Sequence, residues 1–109
     1  MKNNLFENIP EKLPEELFET LLASGDIKIE RIVSHGHTTT EGEWYDQSLD
    51  EWVLLLSGSA VLEFDGGKES VSLKPGDYIL LPAGLRHRVA RTESGADSVW
   101  LAIHFNHSA

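Results

Sequence analysis

Cysteine is absent from all 109 positions, which removes disulfides, thiolate metal sites and a thiol nucleophile together. Any metal would have to be held by histidine, carboxylate or amide groups. Basic side chains are also scarce: nine Lys and Arg stand against eighteen Asp and Glu, a formal charge of −9. Nucleic-acid binding depends on cations that neutralise phosphates, so no nucleic-acid partner is expected. No apolar run approaches the ~20 residues of a membrane span, so no membrane partner is expected either. The opening MKNNLFENIPEK lacks the apolar middle of an export signal, and a cytoplasmic location is the resulting expectation.

What remains describes one domain. A length of 109 residues with 40% hydrophobic content suits a single core. The charge is unevenly spread: residues 1–50 hold four basic and eleven acidic groups, residues 51–109 five and seven. Three of the five basic groups in the second half are Arg86, Arg88 and Arg91, grouped about His87.

Pro14 followed by Glu15 and Glu16 has the form of a helix start, with acids at the positive end of the helix dipole. Leu17, Phe18, Leu21 and Leu22 then share one helical face, and Gly25 ends the run. This predicts one short amphipathic α-helix in an N-terminal segment, residues 1–26. From Ile27 the period changes to two. Strand signals recur at 51–56, 60–64, 69–73, 78–81, 87–91 and 99–105, separated by turn residues such as Ser57-Gly58-Ser59 and Asp65-Gly66-Gly67. Short strands at even spacing, with no βαβ unit, predict an all-β sandwich or barrel over residues 27–109. Residues 34–50 form a polar stretch without strand rhythm, a place where function often sits.

The most punctuated stretch is GDYILLPAGLRH, residues 76–87. Five residues separate Gly76 from Pro82, one separates Pro82 from Gly84, and two separate Gly84 from His87. Glycines that take positive φ and a proline with fixed φ hold both ends of the apolar run, so His87 leaves a defined turn. Alternation then sorts its neighbours. With His87 inward, Val89 and Arg91 point inward too, while Arg86 and Arg88 point out; Trp100, Ala102 and His104 share one face of the last strand.

GDYILLPAGLRH resembles the second conserved motif of the cupin superfamily, and Glu51 with Gly58 seven positions on resembles the end of the first. The resemblance implies a small single-domain cupin with a double-stranded β-helix, the jelly-roll barrel, and a metal inside it. Cupins hold that metal with the first-motif glutamate, the second-motif histidine and a His-x-His pair just before the glutamate. Glu51 and His87 match. The pair does not: its slots hold Tyr45 and Gln47 at the shorter family spacing, or Trp44 and Asp46 at the longer one. His35-Gly36-His37 lies too far upstream to be in register, and the family's asparagine after the second-motif histidine is Arg91 here.

Three arrangements follow. In one, one or both of Asp46 and Gln47 supply oxygen beside Glu51 and His87, a donor set open to Fe, Mn, Zn or Ni. In a second, the polar segment folds back so that His37, alone or with His35, reaches the site. In the third there is no metal, and Glu51 and His87 form a polar pair whose protonation is set by burial and by each other's charge. Tyr45, His104 and Arg91 are the candidate pocket residues around them, Arg91 as a fork for an anion or a carboxylate. The resemblance implies dioxygenation, isomerisation or epimerisation, or decarboxylation of a small molecule; the competing class is a non-catalytic module that binds a small ligand or metal. An open sheet edge and an amphipathic N-terminal element make a homodimer the expected assembly.

Overall fold

The computed structural model describes residues 2–106. Eight strands follow in chain order: β1 Leu17–Ser24, β2 Ile27–Ser34, β3 Asp50–Ser57, β4 Ala60–Phe64, β5 Val71–Leu73, β6 Tyr78–Leu81, β7 His87–Thr92 and β8 Ser98–Phe105. A five-stranded sheet in the order β1-β2-β8-β3-β6 faces a three-stranded sheet in the order β5-β4-β7. Every paired neighbour is antiparallel. This is the jelly-roll barrel, all β, with no helix among the described residues.

The expected N-terminal helix is corrected. Residues 17–24 form β1, paired to β2 from Leu17↔Val33 to Ser24↔Ile27. Gly25, read as a helix stop, is with Asp26 the two-residue loop of a hairpin, and its φ of +56° is the conformation such a loop needs. The apolar spacing of Leu17, Phe18, Leu21 and Leu22 fits a strand with a register shift, which occurs between Thr20 and Leu22. Pairing along a whole strand outweighs helix propensity in a segment this short.

Alternation puts Val53 and Leu55 of β3, Ala60 and Leu62 of β4, and Trp100 and Ala102 of β8 into one core with Leu73 and Leu81. Complete burial of a leucine, as at Leu55 and Leu62, contributes on the order of 1.5–3 kcal/mol each. One end of this core closes at Gly58, whose φ is +82°; a Cβ there would sit 2.2 Å from Ser98 Oγ and 2.7 Å from Ser98 Cα. Only glycine lets the β3–β4 turn lie flat on β8.

Arg31 fastens the N-terminal segment to the opposite face of β2. Its buried guanidinium donates to the backbone oxygens of Leu5, Glu7 and Asn8 and to the Glu19 carboxylate. The alternate positions Glu30 and Ile32 consequently face into the barrel.

Candidate functional site

The far end of the same barrel is polar. Glu51 and His104 are direct partners in the β3–β8 ladder, and Lys28 pairs with His104 from the other side. His104 Nε2 lies 2.8 Å from Glu30 Oε1 and 3.8 Å from Glu51 Oε2. His87 enters from the smaller sheet, its Nε2 3.8 Å from Glu51 Oε1. Glu51 thus stands between two imidazoles.

His87 Nδ1 is 3.0 Å from the Leu85 carbonyl oxygen. A carbonyl only accepts, so the Nδ1 proton is fixed there, and in the neutral ring Nε2 presents a lone pair toward Glu51. Two acceptors face each other across 3.8 Å with both side chains under a tenth exposed. Burial pushes the Glu51 carboxyl above its usual range and Glu30 adds to the rise, while His104, His87 and a hydrogen bond from Gln47 hold it down. Burial is the largest of these, so ionised Glu51 lacks adequate compensation from the protein alone.

The polar segment is laid along β7. Tyr45 N–H donates to the His87 carbonyl at 2.7 Å, His87 N–H returns to Tyr45 oxygen at 3.1 Å, and Gly84 N–H donates to Gln47 oxygen at 2.9 Å. The Tyr45 and His87 rings lie 5.6 Å apart. This pinning settles the register that spacing alone left open: Tyr45 and Gln47 face the cavity and Asp46 is exposed. Burial, with the negative charge of Glu16 behind it, pushes the Tyr45 phenol up.

The resulting cavity has a volume of about 80 Å³, bounded by Glu16, Phe18, Glu30, Ile32, Tyr45, Gln47, Glu51, Val53, Leu62, Leu81, His87, Val89, Trp100 and His104. That exceeds the room one water needs, roughly 10–15 Å³ on the same kind of measure. It suits a few ordered atoms or the reacting end of a larger molecule.

Of the candidate residues, Glu51, His87, Gln47, Tyr45 and His104 come together here. Asp46, His37 and Arg91 do not. Asp46 fails because extended chain alternates, and its neighbours Tyr45 and Gln47 take the inward direction. His37 accepts the His35 N–H at Nδ1 and the Thr92 hydroxyl at its carbonyl, and His35 pairs with Asp97 at 3.0 Å, so that loop is tied off beside the cavity. Arg91 is turned out by a β-bulge: Val61 pairs with Arg91 and Leu62 with Val89, leaving Ala90 as an extra residue that reverses the alternation. Buried Thr92 takes the inward place and Arg91 is exposed.

Glu16, Glu30 and Trp100 also line the cavity. Glu30 carried a usable signal, since it shares a strand face with Ile32. Glu16 carried none, because its segment read as helix.

A two-sheet antiparallel barrel with glutamate and histidine facing each other in its mouth defines a small jelly-roll protein with a small-molecule cavity. The family model of the cupin domain matches residues 31–104, and the chain belongs to that family. A solved structure from Ralstonia eutropha JMP134, whose own assignment as a mannose-6-phosphate isomerase is provisional, is 44% identical with a TM-score of 0.93, over 98% of this chain and 99% of that one. A cupin superfamily protein from Desulfitobacterium hafniense DCB-2 is 22% identical with a TM-score of 0.74, over 91% of this chain and 84% of its own, a likeness of fold alone. The 3-hydroxyanthranilate 3,4-dioxygenase of Burkholderia cenocepacia is 43% identical over 56 residues, which make up 50% of this chain and 32% of that enzyme. The same enzyme from Paraburkholderia phytofirmans is 43% identical over 63 residues, 56% of this chain and 35% of its own. The chain therefore spans about a third of the length of the curated relatives it matches.

Proposed function

We propose that this protein binds a small molecule in the barrel cavity together with one divalent ion, Fe, Mn, Zn or Ni, and acts on it as a dioxygenase or isomerase. The observation that carries the reading is the pair of acceptors, His87 Nε2 and Glu51 Oε1, buried and facing across 3.8 Å. Opposed lone pairs in a buried place call for a proton or a cation between them, and a borderline cation suits this mixed nitrogen and oxygen set. Glu51 and His87 would hold it, with Gln47 and His104 beside them. Among the described residues no three His, Cys, Asp or Glu side chains form a cluster already closed around one point, so the amide of Gln47 or a ligand atom completes the set.

When bound, such an ion polarises a substrate oxygen or, if redox-active, brings substrate and dioxygen together. The chain's own residues do the rest. The Leu85 carbonyl fixes the His87 tautomer, Gln47 orients Glu51, and Glu30 holds His104. The dioxygenase and isomerase assignments of the relatives are compatible with this arrangement, and a homodimer through the exposed β1 edge belongs to the same reading.

A second reading is favoured by one observation: Tyr45 and Gln47 stand where the family pattern has imidazoles, a relaxed donor set that suits a non-catalytic binding module. Elemental analysis separates the outcomes. We expect stoichiometric metal in protein purified without chelator, and its loss in Glu51→Ala and His87→Ala with the fold retained by circular dichroism. Metal-free native protein sinks the metal reading, and no oxygen uptake by iron-loaded protein across small catechols, thiols and diketones removes the dioxygenase arm.

A further inference from the structure

The charge in the cavity lining is one-sided. Glu16, Glu30 and Glu51 line it with His87 and His104, and no Lys or Arg does so. The cations of neighbouring strands are turned elsewhere. Lys28 reaches Glu30 Oε2 at 3.2 Å from a half-exposed position outside the lining, Arg88 binds Glu63, and Arg91 is exposed.

A second observation points to the kind of atom that belongs there. Trp100 is 4% exposed and lines the same cavity, and its buried Nε1–H has no hydrogen-bond partner among the described residues. An orphaned buried donor costs ~1–3 kcal/mol unless an acceptor joins it. A hydroxyl oxygen brought to that N–H would accept from it and return its own proton to a carboxylate. A carboxylate or phosphate ligand accepts only, and offers no donor of its own to Glu16, Glu30 or Glu51.

We infer that the cavity takes an uncharged or cationic small molecule bearing hydroxyl or amino groups and turns away carboxylate and phosphate ligands. This rests on the reading of the cavity as the ligand site. It also separates the protein from its relatives, because 3-hydroxyanthranilate and mannose 6-phosphate are both anions.

Two matched pairs isolate the charge: 2-aminophenol against 3-hydroxyanthranilate, and mannose against mannose 6-phosphate. The readout is the indole N–H resonance of Trp100, assigned with Trp100→Phe, during titration of the full chain. At least one uncharged member should move that resonance and bind at least tenfold more tightly than its anionic partner. Glu16→Gln combined with Glu30→Gln should narrow that ratio to threefold or less. An anion binding as tightly as its uncharged partner overturns the inference, and so does the failure of both uncharged members to move Trp100. Binding detected by calorimetry with no Trp100 shift places the ligand outside the cavity and overturns the site reading itself, whereas the metal reading stands or falls by elemental analysis.

Discussion

Strands β3 and β8 run side by side through two unlike environments. At one end Leu55 and Val99 are fully buried, and Gly58 lies against Ser98 with no room for a methyl group. At the other, Glu51 pairs with His104 and both share a cavity with Glu30 and His87. The closed end spends its residues on packing, so any change of volume there is felt. The open end keeps Glu51 under a tenth exposed and 3.8 Å from each of two imidazoles, an arrangement that contributes little to folding and leaves room for a ligand.

That contrast is most easily broken at the closed end. Gly58→Ala should destabilise the protein by about 3–5 kcal/mol, because a methyl group overlaps Ser98 and the alanine is strained at positive φ. Thermal unfolding should show a loss of more than ~10 °C. A smaller effect of the opposite sign is expected at the open end. Glu51→Gln removes a buried carboxylate and should raise the stability of metal-free protein by about 1 kcal/mol at pH 8, roughly 4 °C in Tm, while lowering metal content. A fall in Tm would show that Glu51 stabilises the fold and that the two ends are less distinct than their packing suggests.

The smallest effect concerns Glu16, at the rim. Burial raises its pKa from the ordinary value of 4.5, against the hydrogen bond with Ser34 and the charge of His37. The native state then binds this proton more tightly than the unfolded chain. Stability is penalised as pH rises from 4.5 through the raised value, and the penalty disappears on acidification below 4.5. Relative to Glu16→Gln, native protein should lose roughly a few tenths of a kcal/mol across that window, discounted for partial exposure. Paired urea titrations at pH 4 and pH 8 measure it, and a gap that widens toward acid would reverse the sign.

Much of this organisation was legible in the residues. Strands β4 and β6 fall where alternation and turn residues put them, and the glycine-proline-glycine-histidine spacing led directly to His87. Trp100, Ala102 and His104 share an inward face because nothing interrupts the alternation between them. The failures have two causes. Residues 17–24 carry an apolar pattern compatible with helix or strand, and only the partner strand β2 decides between them. Arg91 was misplaced because a bulge at Ala90 is a feature of pairing, invisible to a count of alternate residues. The register of Tyr45 and Gln47 was open for a related reason: backbone bonds to His87 and Gly84 fix it, and those are contacts at long separation.

The bulge has a consequence beyond register. With strict alternation β7 would carry the Arg91 guanidinium into the barrel core, four residues along the strand from His87. The bulge in the pairing keeps that cation in solvent. The charge carried into the barrel is therefore written in strand pairing as much as in side-chain identity.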